Sequence, residues 1–158
     1  MSKVQRLEQV QLEKATFDTA ALSADLEKAL GFSAADNEKQ LHFHVLSAGG
    51  AVTLDKGTLF QVAENLTTNA LRFAKENVSV ELSIEGENLK LEIADDGDGF
   101  PAELLKSGIQ PFRKGTEEAE HLGMGLYICD LLCRKHGGTL KIANTDTGAA
   151  ASAILKIS

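Results

Sequence analysis

Residues 78–100 read VSVELSIEGENLKLEIADDGDGF and decide the fold class of the chain. Apolar residues alternate with polar ones over Val78–Ile84 and again over Leu89–Ala94, which is the period of a half-buried β-strand. Between the two runs, residues 85–88 (EGEN) predict a tight hairpin turn. The centre of the predicted structure is therefore a strand hairpin that ends in an acidic, glycine-rich segment.

Helical and extended patterns precede this hairpin. Ala20–Leu30 predicts an amphipathic helix that ends at Gly31, and Gln40–Leu46 predicts a strand. Asp55 predicts the N-cap of a second helix. The apolar face of that helix consists of Leu59, Val62, Ala63, Leu66, Ala70 and Phe73.

The pattern breaks after the hairpin, since residues 95–122 are rich in glycine and charge and predict a long functional loop. A helix from about Gly125 to Lys135 follows, and Thr139–Asn144 and Ala151–Ile157 predict a last hairpin. This element order predicts an α+β fold. We expect a two-layer α/β sandwich, with one mixed, mostly antiparallel sheet covered on one face by helices.

Composition limits the classes of function. The chain has 158 residues and a net charge of −7, which fits one domain and argues against a general nucleic-acid binder. It shows neither an apolar run long enough to span a membrane nor a signal-peptide core, so we expect a cytoplasmic location without membrane contact. Cys129 and Cys133, the only cysteines, are expected to be buried thiols of a reducing compartment.

The first candidate site is ENLTTNALRF, residues 64–73. Asn65, Asn69 and Arg72 stand at i, i+4 and i+7 and would project from one side of the predicted helix. Two carboxamides with a cation one turn beyond suit a hydrated Mg²⁺ and phosphate oxygens. The alternative is a polar stripe that faces solvent.

The second candidate is DDGDGFP, residues 95–101, directly after a strand. Its glycines would allow close approach of a flat ligand, and a buried Asp95 would accept a hydrogen bond from an exocyclic amine. An EF-hand calcium loop is excluded, because Lys106 stands where its glutamate would be. A charged turn is the alternative.

The third candidate is Gly123-Met124-Gly125-Leu126, at the start of the predicted helix. Free backbone amides at a helix start bind phosphate. The segment is neither a Walker P-loop, since no GK[ST] follows, nor a Rossmann fingerprint. Alone, it is weak evidence.

Taken in order, these motifs resemble the sensor histidine kinases. The sequence has Asn-x₃-Asn on a helix, then DxGxG after a strand, then a loop with PFRK (residues 111–114), then GxGL at a helix start. More broadly it is similar to the GHKL ATPases with the Bergerat fold, a family that includes DNA gyrase, Hsp90 and MutL. The resemblance extends from about residue 16 to residue 158. Residues 1–14 would be the tail of a dimerisation helix, and 15–158 the ATP-binding catalytic domain.

The resemblance implies roles for individual residues in binding Mg-ATP. Asn69 would ligate Mg²⁺, with Asn65 beside it through water, and Asp95 would accept the adenine amino group. The catalytic set would be Asn65, Arg72 and Lys114, of which Arg72 and Lys114 would contact phosphate. The remaining nucleotide contacts would come from Phe73, Gly97, Gly99, Phe112, Arg113, His121, Leu122, Gly123, Met124, Gly125, Leu126 and Ser152.

Several positions depart from the family pattern. Arg72 stands in place of a lysine and Phe73 in place of a tyrosine, and His121 stands where the family often has a further glycine. His121 would donate to a phosphate or stiffen the lid, and we favour the second role. Asp98 replaces a frequent proline.

The resemblance also implies how the reaction proceeds. Asn65 stands where gyrase and Hsp90 have a glutamate that activates water, and Glu64 lies about 100° round the helix. We therefore expect slow hydrolysis and transfer of the γ-phosphoryl to a histidine on a separate dimerisation domain, with a response regulator receiver domain as a further partner. His42 and His44 are expected to be ordinary strand residues, and His136 a structural one.

Two other functions remain open. One is a serine kinase of the anti-sigma-factor type, which shares the fold but for which Asn65 in place of Glu is unfavourable. The other is a degenerate, non-catalytic module that binds nucleotide or protein, which the substitutions at Arg72, Phe73 and His121 would permit.

Overall fold

The computed structural model of the protein describes residues 3–9, 11–35, 38–47, 49–110 and 117–157. Helices and strands follow one another as α1 (Lys3–Gln9), β1 (Ala15–Asp18), α2 (Thr19–Ala34), β2 (Gln40–Val45), β3 (Ala51–Leu54), α3 (Lys56–Phe73), β4 (Asn77–Glu85), β5 (Asn88–Asp95), α4 (Ala102–Ser107), α5 (Glu117–Lys135), β6 (Thr139–Asn144) and β7 (Ala149–Lys156).

Five strands form the main sheet, in the order β2-β4-β5-β7-β6. The edge strand β2 runs parallel to β4, and every other neighbouring pair is antiparallel. The predicted hairpin is β4–β5, whose register pairs Ile84 with Leu89 and Val78 with Asp95. The prediction of a mixed, mostly antiparallel sheet is confirmed.

The helices α2, α3 and α5 cover one face of this sheet. Side chains of β4 and β5 alternate between the core and solvent, so that Leu82 and Leu91 are buried while Glu81 is exposed. Burial of one side of each strand against the helices fixes the register, since a slip of one residue would turn every apolar side chain outward. The α+β two-layer sandwich is confirmed.

The predicted N-cap of α3 is also confirmed. The Asp55 carboxylate accepts a hydrogen bond from the Thr58 N–H at 2.9 Å. The same carboxylate accepts the Glu13 N–H at 2.7 Å, and the Asp55 N–H donates to Nε2 of the buried His136 at 2.9 Å. Asp55 therefore ties the start of α3 to the segment before β1 and to the end of α5.

Three predictions of element bounds were wrong. The helix α2 continues past Gly31 to Ala34, because an exposed glycine inside a helix is tolerated when flanking residues pack. The predicted loop of residues 95–122 contains α4, and α5 begins at Glu117 rather than near Gly125. Two short strands, β1 and β3, were not predicted; they pair with each other as a separate antiparallel ribbon.

The cysteines and strand histidines match their predicted roles. Cys129 and Cys133 are free and buried on α5. Burial raises the pKa of the Cys129 thiol to about 12, so this thiol is inert at neutral pH. On β2, the His42 ring bonds to the Asn77 side chain through Nε2 at 3.0 Å. Among the described helices, none is long and apolar enough to cross a membrane.

Candidate functional site

An apolar cavity lies between α3, the N-terminal half of α5 and the ends of β5 and β7. Its volume is about 190 Å³, which is below the ~300–1,000 Å³ of sites that enclose a drug-sized ligand. A cavity of this size fits one part of such a ligand, and the remainder would lie outside it. The lining residues are Leu66, Asn69, Ala70, Phe73, Ile93, Asp95, Gly99, Phe100, Pro101, Leu122, Leu126, Ala149 and Ala151.

Asp95 supplies the carboxylate of the cavity wall. It is the last residue of β5, on the same side of the strand as the buried Ile93. One carboxylate oxygen, Oδ1, accepts the Gly97 N–H at 2.8 Å. Desolvation by burial raises the pKa of Asp95, against the opposing effect of backbone hydrogen bonds from Gly97 and Ala149. An ionised carboxylate offers about four lone-pair sites, so beside these two backbone donors Asp95 can still accept a hydrogen bond from a ligand amine.

The glycine loop, residues 95–101, is shaped by contacts within the protein. A Cβ on Gly97 would overlap the Phe73 carbonyl oxygen, and a Cβ on Gly99 would lie 2.8 Å from Asn144 Oδ1. Gly99 also has φ +88°, a conformation that side chains disfavour. From the sequence we interpreted these glycines as clearance for a ligand. The structure adds a second reason for them, because neighbouring protein atoms occupy the space that a side chain would need.

Asp96 anchors the other side of this loop to the turn between α3 and β4. Its carboxylate accepts the backbone N–H groups of Lys75, Glu76 and Asn77 at 2.8–3.2 Å. Desolvation raises the pKa of Asp96, but these donors together with the Asn77 side chain lower it to about 2. The carboxylate therefore stays ionised and holds the end of α3 next to the loop.

The predicted α3 residues occupy different positions relative to the cavity. Asn69 lines it, and the Nδ2 end of its amide is buried without a hydrogen-bond partner. Phe73 lines it with 38% of its surface exposed. Asn65, one turn before Asn69, is half-buried and interacts with the Cys129 thiol. Arg72 is exposed in the last turn and does not line the cavity.

The predicted phosphate-binding start of a helix is not present in this conformation. Gly123 and Gly125 lie within α5, which begins at Glu117, so their amides belong to a continuous helix rather than to its free first turn. Leu122 and Leu126 line the cavity, and Met124 packs against the core. The position of Leu122 and Leu126 at the cavity agrees with the prediction. The predicted free backbone amides of Gly123–Leu126 are not present, because these residues lie inside α5.

Close packing of α3 on α5 explains one of these glycines. A Cβ on Gly125 would lie 3.3 Å from Nδ2 of Asn69, which is tighter than an ordinary van der Waals contact. The small residue therefore leaves room beside the unpartnered Asn69 amide.

Ser152 is not brought to the site. Ala149 and Ala151 line the cavity, and alternation along β7 turns the intervening Ser152 toward the opposite face of the sheet. On that face Ser152 stands beside Glu92 and Lys141. The prediction of a contact from Ser152 was one residue out of register.

Part of the predicted lid cannot be placed. Phe112, Arg113 and Lys114 lie outside the described residues. Of His121, the structure describes only its place on α5.

The side-chain groups of α3 that would suit Mg²⁺ at this site are amide oxygens. Asn69, whose side-chain oxygen would be the ligand, and Asn65, one turn away, are the polar side chains that α3 offers here. In the described part of the chain, no three His, Cys, Asp or Glu side chains cluster so as to hold a metal ion. Mg²⁺ retains several waters and binds substrate phosphates, so one or two amide ligands fit its requirements.

Sequence reasoning missed several lining residues. Ile93 was predictable, because it lies two residues before Asp95 and so on the same face of the strand. Leu66 and Ala70 were predicted as the apolar face of α3 but not as cavity walls. Phe100 and Pro101 follow the glycines, and nothing in their local pattern fixes the direction of the loop.

Comparison with known proteins places the chain among ATPases. The family described as "Histidine kinase-, DNA gyrase B-, and HSP90-like ATPase" matches residues 54–157, more than half of the chain. The sensor protein kinase PilS of Pseudomonas aeruginosa is 32% identical over 120 residues, which is 71% of this chain and 22% of that protein. The C4-dicarboxylate transport sensor protein DctB of the same organism is 32% identical over 148 residues, 90% of this chain and 23% of that protein.

Solved structures share the fold at lower identity. A nucleotide-free catalytic domain of the histidine kinase ThkA superposes with a TM-score of 0.77 at 19% identity and covers 92% of this chain and 97% of that one. Full-length ShkA in complex with AMPPNP gives a TM-score of 0.77 at 22% identity, over 98% of this chain and 34% of that one. The chain spans less than a quarter of PilS and of DctB.

Proposed function

The chain belongs to the family of histidine kinase-, DNA gyrase B- and HSP90-like ATPases, and on that premise we propose that it is the ATP-binding catalytic domain of a two-component sensor histidine kinase. In this proposal the domain binds Mg-ATP and presents the γ-phosphoryl to a histidine on a separate dimerisation domain. The observation that carries it is the apolar cavity with the Asp95 carboxylate in its wall.

The cavity favours adenine over guanine. Asp95 already accepts backbone N–H groups of Gly97 and Ala149, and its two oxygens offer about four lone-pair sites, which leaves acceptor positions for the amino group of a base. Adenine offers an amine at that edge, whereas guanine offers a carbonyl that a carboxylate would repel. The aliphatic walls formed by Ile93, Leu126 and Ala151 suit a flat aromatic ring.

The phosphate groups of a bound nucleotide would extend out of the cavity along α3. Asn69 lines the cavity, and Arg72 is exposed one turn further along α3. Mg²⁺ would neutralise phosphate charge when it is bound, with Asn69 as ligand and Asn65 beside it. The lid residues Arg113 and Lys114 would complete the set of cations.

Transfer rather than hydrolysis is supported by the residues of α3. No carboxylate of α3 lines the cavity, because Asn65 stands one turn before Asn69 and the neighbouring Glu64 is exposed. Without a carboxylate base to activate water, the domain would contribute positioning and charge neutralisation. We propose that the reaction becomes fast only when an acceptor histidine is supplied.

The proposed partners follow from the separation of the ATP-binding domain from the acceptor histidine. The acceptor histidine would belong to a dimerisation domain of the same parent protein, to which residues 1–14 would lead. A receiver domain of a response regulator would take the phosphoryl group next. We propose a cytoplasmic location for this domain, whether or not its parent is anchored in a membrane.

Phosphotransfer from γ-labelled ATP tests this proposal. The domain is incubated with a helical domain that carries a phosphoacceptor histidine, and the label is followed with and without Mg²⁺. We expect an acid-labile, Mg²⁺-dependent phosphoprotein. Acid-stable label on serine would instead support the anti-sigma-factor type of kinase, and no label despite nucleotide binding would support a non-catalytic module.

A further inference from the structure

The end of β6 makes a two-point contact with the glycine loop. Oδ1 of Asn144 accepts the Phe100 N–H at 2.7 Å, and Nδ2 of Asn144 donates to the Phe100 carbonyl oxygen at 3.1 Å. The side-chain amide thus pairs with both backbone polar groups of a single residue, as a neighbouring β-strand would.

Gly99 is shaped to receive this amide. A Cβ at Gly99 would lie 2.8 Å from Oδ1 and 3.0 Å from Nδ2 of Asn144. The second glycine of the motif therefore has a structural reason besides its positive φ, because any side chain there would displace Asn144 from Phe100.

Hydrogen bonds stabilise the turn that directly follows Asn144. Within the β6–β7 turn, residues 145–148, the Thr145 N–H donates to the Gly148 carbonyl at 2.7 Å, and the Thr145 hydroxyl accepts the Gly148 N–H at 3.0 Å. A Cβ on Gly148 would overlap the Asp95 carbonyl oxygen, so the turn lies flat against the glycine loop. These contacts therefore fix the backbone on the C-terminal side of Asn144.

The residues that Asn144 holds are walls of the cavity. Gly99, Phe100 and Pro101 all line it, whereas Asn144 does not. We infer that Asn144 is a positioning residue for nucleotide binding: its amide holds the backbone around Phe100, so that residues 99–101 form their part of the wall of the base cavity. This inference rests on the proposed function.

Removal of the amide tests the inference. Asn144→Ala is expected to weaken ADP binding about tenfold, the equivalent of one to two ordinary hydrogen bonds. Hydrogen exchange of the Phe100 amide, measured without nucleotide, should become faster. Asn88→Ala is the matched control, because Asn88 is an exposed asparagine at the opposite end of β5 from the cavity, and its replacement should leave both quantities unchanged.

A conservative variant separates positioning from general stability. In Asn144→Asp, the ionised carboxylate accepts the Phe100 N–H but cannot donate to the Phe100 carbonyl, whereas the protonated form does both. An exposed aspartate has a pKa of about 3.9, so the carboxylate is ionised at neutral pH and the ADP affinity of this variant at pH 7.5 should lie below that of the wild type. Asn88→Asp, which makes the same change of charge at the opposite end of β5 from the cavity, should keep the wild-type affinity.

The outcomes distinguish this inference from the proposed function. Wild-type affinity in Asn144→Ala, in a preparation where the wild type binds ADP, overturns the inference and leaves the proposed function standing. A wild-type protein that binds no ADP overturns both. If the alanine variant does not fold, the comparison of Asn144→Asp with Asn88→Asp decides, and wild-type ADP affinity in Asn144→Asp contradicts the inference.

Discussion

Asp95 is the side chain on which the proposed selectivity for adenine depends. One of its oxygens is occupied by the Gly97 N–H, and the surrounding walls are apolar. An asparagine at this position keeps one acceptor oxygen and replaces the other by an NH₂ group, which cannot accept a hydrogen bond from a backbone N–H or from a ligand amine.

We therefore predict that Asp95→Asn lowers the affinity for ADP by about 10- to 100-fold, the range for loss of a hydrogen bond to a charged group. Isothermal titration measures it. Asp98→Asn is the matched control, since it makes the same change of charge in the same loop at a side chain that is 96% exposed. Equal affinities for the two variants would contradict the assigned role of Asp95.

His136 should make the fold sensitive to acid. Its Nε2 accepts the Asp55 N–H, so the ring must be neutral in the folded protein. Desolvation by burial lowers the pKa of His136 from 6.5, with Lys14 acting in the same direction and Asp55 against it. A lowered folded pKa means that stability is full above pH 6.5 and is lost as the pH falls through the folded value.

The measurement is urea unfolding of wild type and His136→Gln at pH 7.5 and pH 5.0. Glutamine can accept the Asp55 N–H without titrating, so the loss of stability between the two pH values should be smaller in the variant. The other groups that titrate are common to both proteins, and an identical loss would argue against His136 as its source.

At this scale the sequence predicted residues whose position follows from a local rule. Asp95 is the last residue of an alternating strand, and Asn69 lies one turn from Asn65 on a helix with a clear cap. Ser152 was misplaced because residues 149–153 read AAASA, and a run of alanines carries no alternation from which to choose a face.

The helices are longer than their glycines suggest. In α2, Gly31 is followed by three more helical residues, and a Cβ there would meet nothing within 4 Å. Gly86, in the turn between β4 and β5, is equally open but has φ +61°.

This contrast predicts opposite effects of the same substitution. Gly31→Ala should stabilise the protein by roughly 0.5–1 kcal/mol, since alanine loses less backbone entropy in a helix. Gly86→Ala should destabilise it by roughly 1 kcal/mol, the cost of a left-handed conformation. Thermal unfolding measures both, and destabilisation by Gly31→Ala would mean that α2 ends at Gly31.

The N-terminal half of α5 was the least predictable element. Residues 117–125 contain two glycines and three glutamates, which are typical of a loop, yet they are helical where Leu122 and Leu126 pack over the cavity. Tertiary burial here outweighs local propensity. The strands β1 and β3 escaped prediction for a simpler reason: four residues are too few to show a period.

The whole molecule brings together residues that are distant in the chain. The walls of the cavity come from α3, β5, the loop before α4, α5 and β7. Its lining residues therefore extend from residue 66 to residue 151 of the chain. The layer architecture followed from element order, because two hairpins with amphipathic helices must bury one face of a sheet. The strand order did not, since nothing local shows that β2 joins β4 in parallel rather than at the other edge.

Titration calorimetry of this domain with ADP and ATP tests the central claim most directly. Each nucleotide is measured with and without Mg²⁺, and GTP serves as the control, because its base differs from adenine at the edge that we propose faces Asp95. The account predicts binding that is selective for adenine and strengthened by Mg²⁺. Absence of binding, or equal affinity for GTP and ATP, would contradict it.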